Sequence, residues 1–357
     1  MKLGILGLPS SGKTSLFNLL TGGTADTTPF GSGKRRANLA VVKVPDDRLD
    51  RLAAFYRPKK ITPVEIAFVD PGGLPGADRS GERAEELLPH LRDADALVLV
   101  LRDFESEIVP APGGRVDPLA DLDEIRSDLI VADLATVEKK LERLEKEKKG
   151  GDPAKQREYD LFARARDCLE SERRLYSLDL TRDEEKTISN YGFLTRKAMI
   201  LLRNTGDGAS PEEPEALRAR AEHMGAPLLS MNALLEREVL DLAEEERAEF
   251  YESFDIEGGG RERFIRAAFD SLDLISFFTG GERDCHAWTV RRGSHAPVAA
   301  GKIHSDMEKG FIRAEVIPVD DLIALGGEKG AREKGKIRTE GKEYVVRDGD
   351  FIIILFN

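Results

Sequence analysis

Two cysteines in 357 residues, Cys168 and Cys285, are too few for a disulfide framework, and neither sits in a C-x-x-C pair. A disulfide-stapled extracellular scaffold is excluded, and two buried or idle thiols in a reducing cytoplasm fit. Long hydrophobic runs are also missing: no stretch approaches the roughly 20 apolar residues needed to cross a bilayer, so no membrane association is expected. The N-terminal MKLGILGLPSSGKT is not read as a signal peptide, because its apolar run is short and enters a Gly/Ser loop directly. Positive charge is in deficit, with 54 Lys and Arg against 66 Asp and Glu and a net charge of −12. A generic polyanion binder is therefore excluded, and any nucleic-acid contact needs a local basic face. What remains is a cytosolic globular chain, long enough for two or three domains.

The patterning is that of an α/β protein. Residues 2–7, 38–45, 63–70, 96–101, 198–203 and 226–231 read as strands, and ALVLVL at 96–101 is a continuous apolar run suited to a strand buried on both faces. Strands alternating with helical stretches predict a doubly wound domain. The alternation breaks between about Leu122 and Lys148, where Leu134, Val137, Leu141 and Leu144 recur at spacings of 3, 4 and 3. After Gly150-Gly151-Asp152-Pro153, Leu161, Ala165, Cys168 and Leu175 resume a similar rhythm, which predicts an inserted antiparallel helical hairpin. Its lysine-rich tip is either a solvated face laced by Glu–Lys pairs or a contact surface for an acidic partner. After Leu274, strand-like runs between Gly-rich turns predict a small, mostly β, C-terminal domain.

Gly7 to Thr14, GLPSSGKT, is G-x-x-x-x-G-K-[ST] between a strand and a helix. Glycines let successive N–H groups point at a phosphate at the positive end of a helix. Lys13 neutralises β/γ oxygens and the Thr14 hydroxyl takes Mg²⁺. Pro9, Ser10, Ser11, Gly12, Lys13, Thr14 and Ser15 are the candidate phosphate-binding residues. Asp70-Pro71-Gly72-Gly73 is D-x-x-G at a strand end, with Asp70 as a Mg²⁺ ligand through water and the Gly73 N–H on the γ-phosphate. The next residue is Leu74, where Ras-like GTPases use a glutamine to orient the attacking water. Hydrolysis is then slow alone, or uses another polar group or a partner. Ser32 is the candidate third hydroxyl for Mg²⁺, with Thr27 or Thr28 behind it.

Asn204-Thr205-Gly206-Asp207 ends another strand in the N-x-x-D pattern that identifies a purine. A carboxylate there accepts from guanine N1–H and the 2-amino group, whereas adenine offers no such pair; that favours guanine by about 10- to 150-fold in ideal geometry. Two features oppose this. Thr205 stands where GTPases carry a lysine across the base, and the Gly-rich loop GDGASPEEP loosens Asp207. ATP and GTP both stay open. Ser230, Met231 and Asn232 are expected beside the base through backbone N–H groups.

Taken together these residues resemble the YchF family, bacterial relatives of the Obg-like ATPases. GLPSSGKTSLFNLLTG, PKKITPVEIAFVDPGGLPGA, DLATVEKKLERLEK and AWTVRRGSHAPVAAGKIHSDMEKGFIRAEVI carry the resemblance, which spans essentially the whole chain. It implies a Ras-like P-loop G domain (1–120 and 195–274), a helical coiled-coil insertion (121–194) and a C-terminal ubiquitin-like β-grasp TGS domain (275–357). It also implies ATP over GTP and association with ribosomes or translation factors. The sequence departs from the family at Ser10 (usually Asn), Ser32 (usually Thr), Ala111-Pro112 (usually containing a histidine) and Asp207 (usually Glu).

Two functions compete: a Mg²⁺-dependent NTPase switch docking on ribosomes, and a nucleotide-gated binding module with negligible turnover. RNA contact through Arg291, Arg292, Lys302, Lys309 and Arg313 is a further possibility, although residues 280–357 balance 13 basic against 13 acidic side chains. His304 is expected to be a hydrogen-bonded turn residue.

Overall fold

The computed structural model describes residues 1–22, 38–71, 88–111, 114–147, 152–207, 209–210, 212–253 and 259–357. In chain order its strands are β1 (Lys2–Leu6), β2 (Asn38–Lys43), β3 (Lys60–Thr62), β4 (Glu65–Asp70), β5 (Ala96–Asp103), β6 (Ala198–Thr205), β7 (Leu228–Met231), β8 (Leu274–Gly280), β9 (Asp284–Arg291), β10 (Phe311–Pro318), β11 (Arg338–Glu340) and β12 (Asp350–Phe356). Five helices matter most here: α1 (Lys13–Thr21), α2 (Asp47–Tyr56), α3 (Pro118–Glu147), α4 (Pro153–Glu170) and α5 (Ala233–Leu240). The α/β class expected from the alternating pattern is borne out.

The chain divides into two packed units, Met1–Val41 with Ala67–Arg261, and Val42–Ile66 with Glu262–Asn357. The first holds a sheet in the order β2-β4-β1-β5-β6-β7. Its central pairs are parallel, β1 on β5 and β5 on β6 through an unbroken register from Ala96↔Ala198 to Asp103↔Thr205. Parallel strands need helices on both faces, which is why β5 and β6 are almost wholly apolar and buried. Leu97, Leu99 and Leu101 of β5 pack with Leu122, Ile125 and Leu129 of α3 and with Leu217, Ala221 and Met224 of the helix Glu215–Met224.

The predicted hairpin is α3 and α4. Val137, Leu141 and Leu144 bury against Leu161, Phe162, Ala165 and Cys168. Lys155–Glu147 (2.8 Å) and Lys140–Glu158 (2.5 Å) pair across the two helices in antiparallel register. Those lysines therefore serve the hairpin itself, and Lys140 lies buried over the rings of Phe162 and Tyr191. Asp133 of α3, 0% exposed, accepts from Leu194 N (3.0 Å), Thr195 N (2.7 Å) and Thr195 Oγ1 (2.8 Å), which anchors the hairpin to the segment leading into β6.

The second unit is a mixed sheet in the order β11-β10-β12-β8-β9-β3. Residues 42–66 group with the C-terminal segment, and 121–194 stays within the first unit. The cause is tertiary. The β3 strand pairs in parallel with β9, Arg48 of α2 donates to Asp348 (2.6 Å), Arg51 to Asp320 (2.7 Å), and the Tyr56 ring stacks on Phe351. His304 accepts from Asp306 N (3.1 Å) and caps the short helix Ser305–Lys309, as a turn residue should. Among the described residues no helix is long and apolar enough to cross a membrane.

Candidate nucleotide site

The loop from Gly7 joins β1 to α1. Ser10 (φ 61°) and Gly12 (φ 92°) both occupy the left-handed region, and Gly12 caps α1. Two such residues so close together curl the backbone into a concave turn at a helix N-terminus, the geometry that receives an anion. The Lys13 ammonium folds back to donate to Gly7 O (2.9 Å) and Leu8 O (2.7 Å) at the loop's edge. Ser11 is buried, and its Oγ has no hydrogen-bond partner among the described residues. Thr14 and Ser15 lie in the first turn of α1, both half-buried.

Asp70 ends β4, which runs parallel to β1 from Lys2↔Ala67 to Gly4↔Val69, and it is 2% exposed. The strand pairing thus carries a buried carboxylate to the same end of the sheet as the phosphate loop. Hard cations prefer oxygen ligands, so the Thr14 hydroxyl and Asp70 carboxylate fit Mg²⁺ as a donor set. Among the described residues no cluster of three or more His, Cys, Asp or Glu could hold a metal ion. Thr27, Thr28, Ser32, Gly73, Leu74 and Pro112 lie outside the described residues.

The base motif is locked to the phosphate loop. Asn204, at the end of β6, donates from Nδ2 to Ser11 O (3.0 Å) and accepts at Oδ1 from Ala233 N (3.1 Å), the first residue of α5. A single buried amide therefore joins loop, strand and helix. Thr205 closes β6 opposite Asp103, and Met231 of β7 pairs with Asn204. Ser230 Oγ donates to Glu213 Oε1 (3.2 Å). Exposed Asp207 accepts at Oδ1 from Asn232 Nδ2 (3.0 Å). The Asn232 side chain thus meets the motif, and the Ala233 N–H is committed to Asn204. Arg203 of β6 donates to Ser210 O and Glu212 O, both 3.1 Å, and pairs with Asp103 at 2.5 Å.

Arg102 and Phe104 escaped the sequence reading. Arg102 is 1% exposed and donates to Ser10 O (3.0 Å), Phe104 O (3.1 Å), Val109 O (2.6 Å) and Pro110 O (3.4 Å). It spends its fork on carbonyls, and burial pulls its pKa below the usual guanidinium value. Its guanidinium lies 4.3 Å from the Phe104 ring centre. A Cβ on Gly206 would come within 2.8 Å of Phe104 Cβ, so the chain at Phe104 approaches the base motif this closely only because residue 206 is glycine. The available signal was an arginine ending the otherwise apolar run ALVLVL.

Residues 2–146 match a family described as "50S ribosome-binding GTPase", and residues 274–357 match the YchF-GTPase_C family. The chain is 39% identical to the "Ribosome-binding ATPase YchF" of Haemophilus influenzae, across 100% of this chain and 99% of that protein. It is 37% identical to the protein of the same name in Bacillus subtilis, across 99% and 98%. Among solved structures it superposes on the Schizosaccharomyces pombe YchF GTPase with a TM-score of 0.85 and 30% identity, covering 99% of this chain and 97% of that one.

Proposed function

The chain belongs to the YchF family, and from that premise we propose that it is a Mg²⁺-dependent nucleoside triphosphatase that binds ATP or GTP and acts in association with ribosomes. The observation that carries the reading is the Asn204 amide, bonded at once to Ser11 O and Ala233 N, which couples the phosphate loop to the base motif. A site so coupled senses base and phosphates together.

The chain's residues act as follows. Backbone N–H groups from Ser10 to Ser15 cradle the β-phosphate beside Pro9, and Lys13 exchanges its carbonyl partners at Gly7 and Leu8 for β/γ oxygens. Thr14 and Asp70, with Ser32, would hold the Mg²⁺, which would neutralise charge on the phosphates. The Gly73 N–H meets the γ-phosphate. Asn204, Thr205 and Asp207, with Ser230, Met231 and Asn232, form the base side. Arg102 keeps Ser10 O in place from beneath. Leu74 offers no group to orient water, so intrinsic turnover is slow and a partner accelerates it.

The relatives' name supports the ribosome as that partner, and hence the cytoplasm as the place of action. The hairpin (121–194) and the C-terminal TGS segment (275–357) are the proposed docking modules, and the exposed Arg291, Arg292, Lys302, Lys309 and Arg313 are available for RNA. Steady-state phosphate release with Mg²⁺, with and without ribosomes, tests the reading, with Lys13→Ala as control. Turnover that ribosomes raise and Lys13→Ala abolishes is expected. Tight nucleotide binding with no stimulated turnover would favour a nucleotide-gated binding module instead.

A further inference from the structure

The segment that follows β5 carries an apolar tip on the open surface. Ile108 is 91% exposed, with Glu105 and Glu107 before it and Val109 and Pro110 after it. Glu105, Glu107 and Pro110 are exposed as well, and so are Pro9 and Ser10 of the phosphate loop. One guanidinium holds the two stretches together. Arg102 Nη1 donates to both Ser10 O (3.0 Å) and Pro110 O (3.4 Å), its Nη2 to Val109 O (2.6 Å) and its Nε to Phe104 O (3.1 Å). Ser106 Oγ accepts from Val109 N at 3.1 Å and closes the turn that carries Ile108. A lone apolar side chain on a surface is ordinary. This one is set apart by its support, because a buried arginine fixes the backbone on both sides of it and ties that backbone to the phosphate loop.

We propose that residues 105–110 are a docking surface for a basic protein partner, one that offers an apolar pocket to Ile108 and cationic side chains to Glu105 and Glu107, and that this contact regulates the phosphate loop through Arg102. The proposal rests on the reading of the chain as a ribosome-associated triphosphatase and adds where the activating contact is made. An apolar anchor inside a polar rim is how protein interfaces are built. The rim selects the partner. Two carboxylates beside the anchor repel nucleic-acid phosphates and attract lysine and arginine, so a basic protein of the ribosome fits and its RNA does not. The tip is already ordered by Arg102 and Ser106, so docking has little backbone left to freeze. Ser10 sits at φ 61° although it is not glycine, and its carbonyl shares Nη1 with that of Pro110. A shift of the tip reaches the phosphate loop through that one side chain.

The test is phosphate release by the full chain with Mg²⁺ and ATP or GTP, titrated with intact ribosomes and, separately, with deproteinised ribosomal RNA. Ile108→Ser removes the anchor and leaves the nucleotide site in place, so basal turnover and nucleotide affinity should match wild type. The ribosome concentration for half-maximal stimulation should rise at least about tenfold, the lower end of what burying one isoleucine contributes. Ile108→Leu should bring it back. Glu105→Lys with Glu107→Lys should also raise it, and RNA alone should stimulate no variant. Arg102→Lys, which keeps the charge and loses the planar fork, should co-sediment with ribosomes as wild type does yet show a smaller ratio of stimulated to basal turnover. An undiminished ratio would overturn the coupling through Arg102. Equal stimulation of wild type and Ile108→Ser would overturn the docking surface and leave the triphosphatase reading standing. A fall in basal turnover in Ile108→Ser would place the residue in the nucleotide site and overturn its role as an anchor. Tighter coupling after the charge reversal, or stimulation by RNA alone, would assign the tip to nucleic acid and overturn the basic protein partner. Wild type that ribosomes do not stimulate would overturn the ribosome-activated reading itself.

Discussion

Asn204 Nδ2 occupies the space that a side chain on Gly12 would need, and it uses that place to donate to Ser11 O at 3.0 Å. The absence of a Cβ in the phosphate loop and the presence of an amide in the base motif are one structural fact. Gly12 also sits at φ 92°, which few other residues tolerate. Gly12→Ala should therefore cost about 1–3 kcal/mol in backbone strain and break the Asn204 bridge. Nucleotide affinity is expected to fall at least about tenfold. Titration alongside thermal unfolding separates the two effects.

Arg102 offers a second handle on the loop from a residue that touches no ligand. Removing its guanidinium strands the carbonyls of Ser10, Phe104, Val109 and Pro110, each now satisfied by it. An unpaired buried polar group costs about 1–3 kcal/mol, and water recovers much of that at Ser10 and Pro110, which are exposed. Arg102→Met should lower the unfolding free energy by about 1–3 kcal/mol and weaken nucleotide binding. Arg102→Lys should restore only part of either, because an ammonium cannot match a planar fork. Denaturant titration and nucleotide affinity, measured on all three proteins, check this.

The hairpin anchor is a carboxylate inside a helix. Asp133→Asn keeps the shape but turns an NH₂ toward donors at Leu194 or Thr195, for a loss of about 1–3 kcal/mol. The expected signature is faster amide exchange in residues 190–197 and along α3, with the phosphate loop unaffected.

The C-terminal unit carries its own pH dependence. His286 stacks on Trp288, the chain's single tryptophan, with ring centres 3.6 Å apart, and burial holds its pKa below the ordinary 6.5, against the opposing pull of Asp284. A lowered histidine pKa means that the unfolded chain binds the proton more readily. The stacked imidazole's contribution is therefore fully present above about pH 6.5 and lost as pH falls through the lowered folded value. Trp288 fluorescence should change across that range with a midpoint below 6.5, and His286→Gln should flatten it. A midpoint at or above 6.5 would contradict the burial argument.

Much of the site could be read from the chain because its chemistry is local. Gly7 to Thr14 curls and faces a helix within eight residues, and Asp70 needs only a strand to carry it. The continuous apolar runs of β5 and β6 announced a parallel sheet covered on both faces. The interrupted heptad spacing announced the hairpin, since burial in a helix pair must repeat about every 3.5 residues.

Other features had no local cause. Arg102 drew no attention in sequence and Asn232 only for its backbone N–H, and each side chain meets partners brought in by strand register: Ser10 lies 92 residues from Arg102, and Asp207 lies 25 from Asn232. Residues 42–66 read as part of the phosphate-loop domain, yet Arg48 meets Asp348 across 300 residues and carries its helix into the C-terminal unit. The sequence by itself determined the phosphate chemistry and the class of fold, because backbone curvature and burial periodicity are properties of a few consecutive residues. Tertiary structure alone decided how Asp207 is held, what supports the phosphate loop and which segments pack together. Those depend on donors and acceptors far apart in the chain, and only the folded sheet brings them within hydrogen-bonding distance.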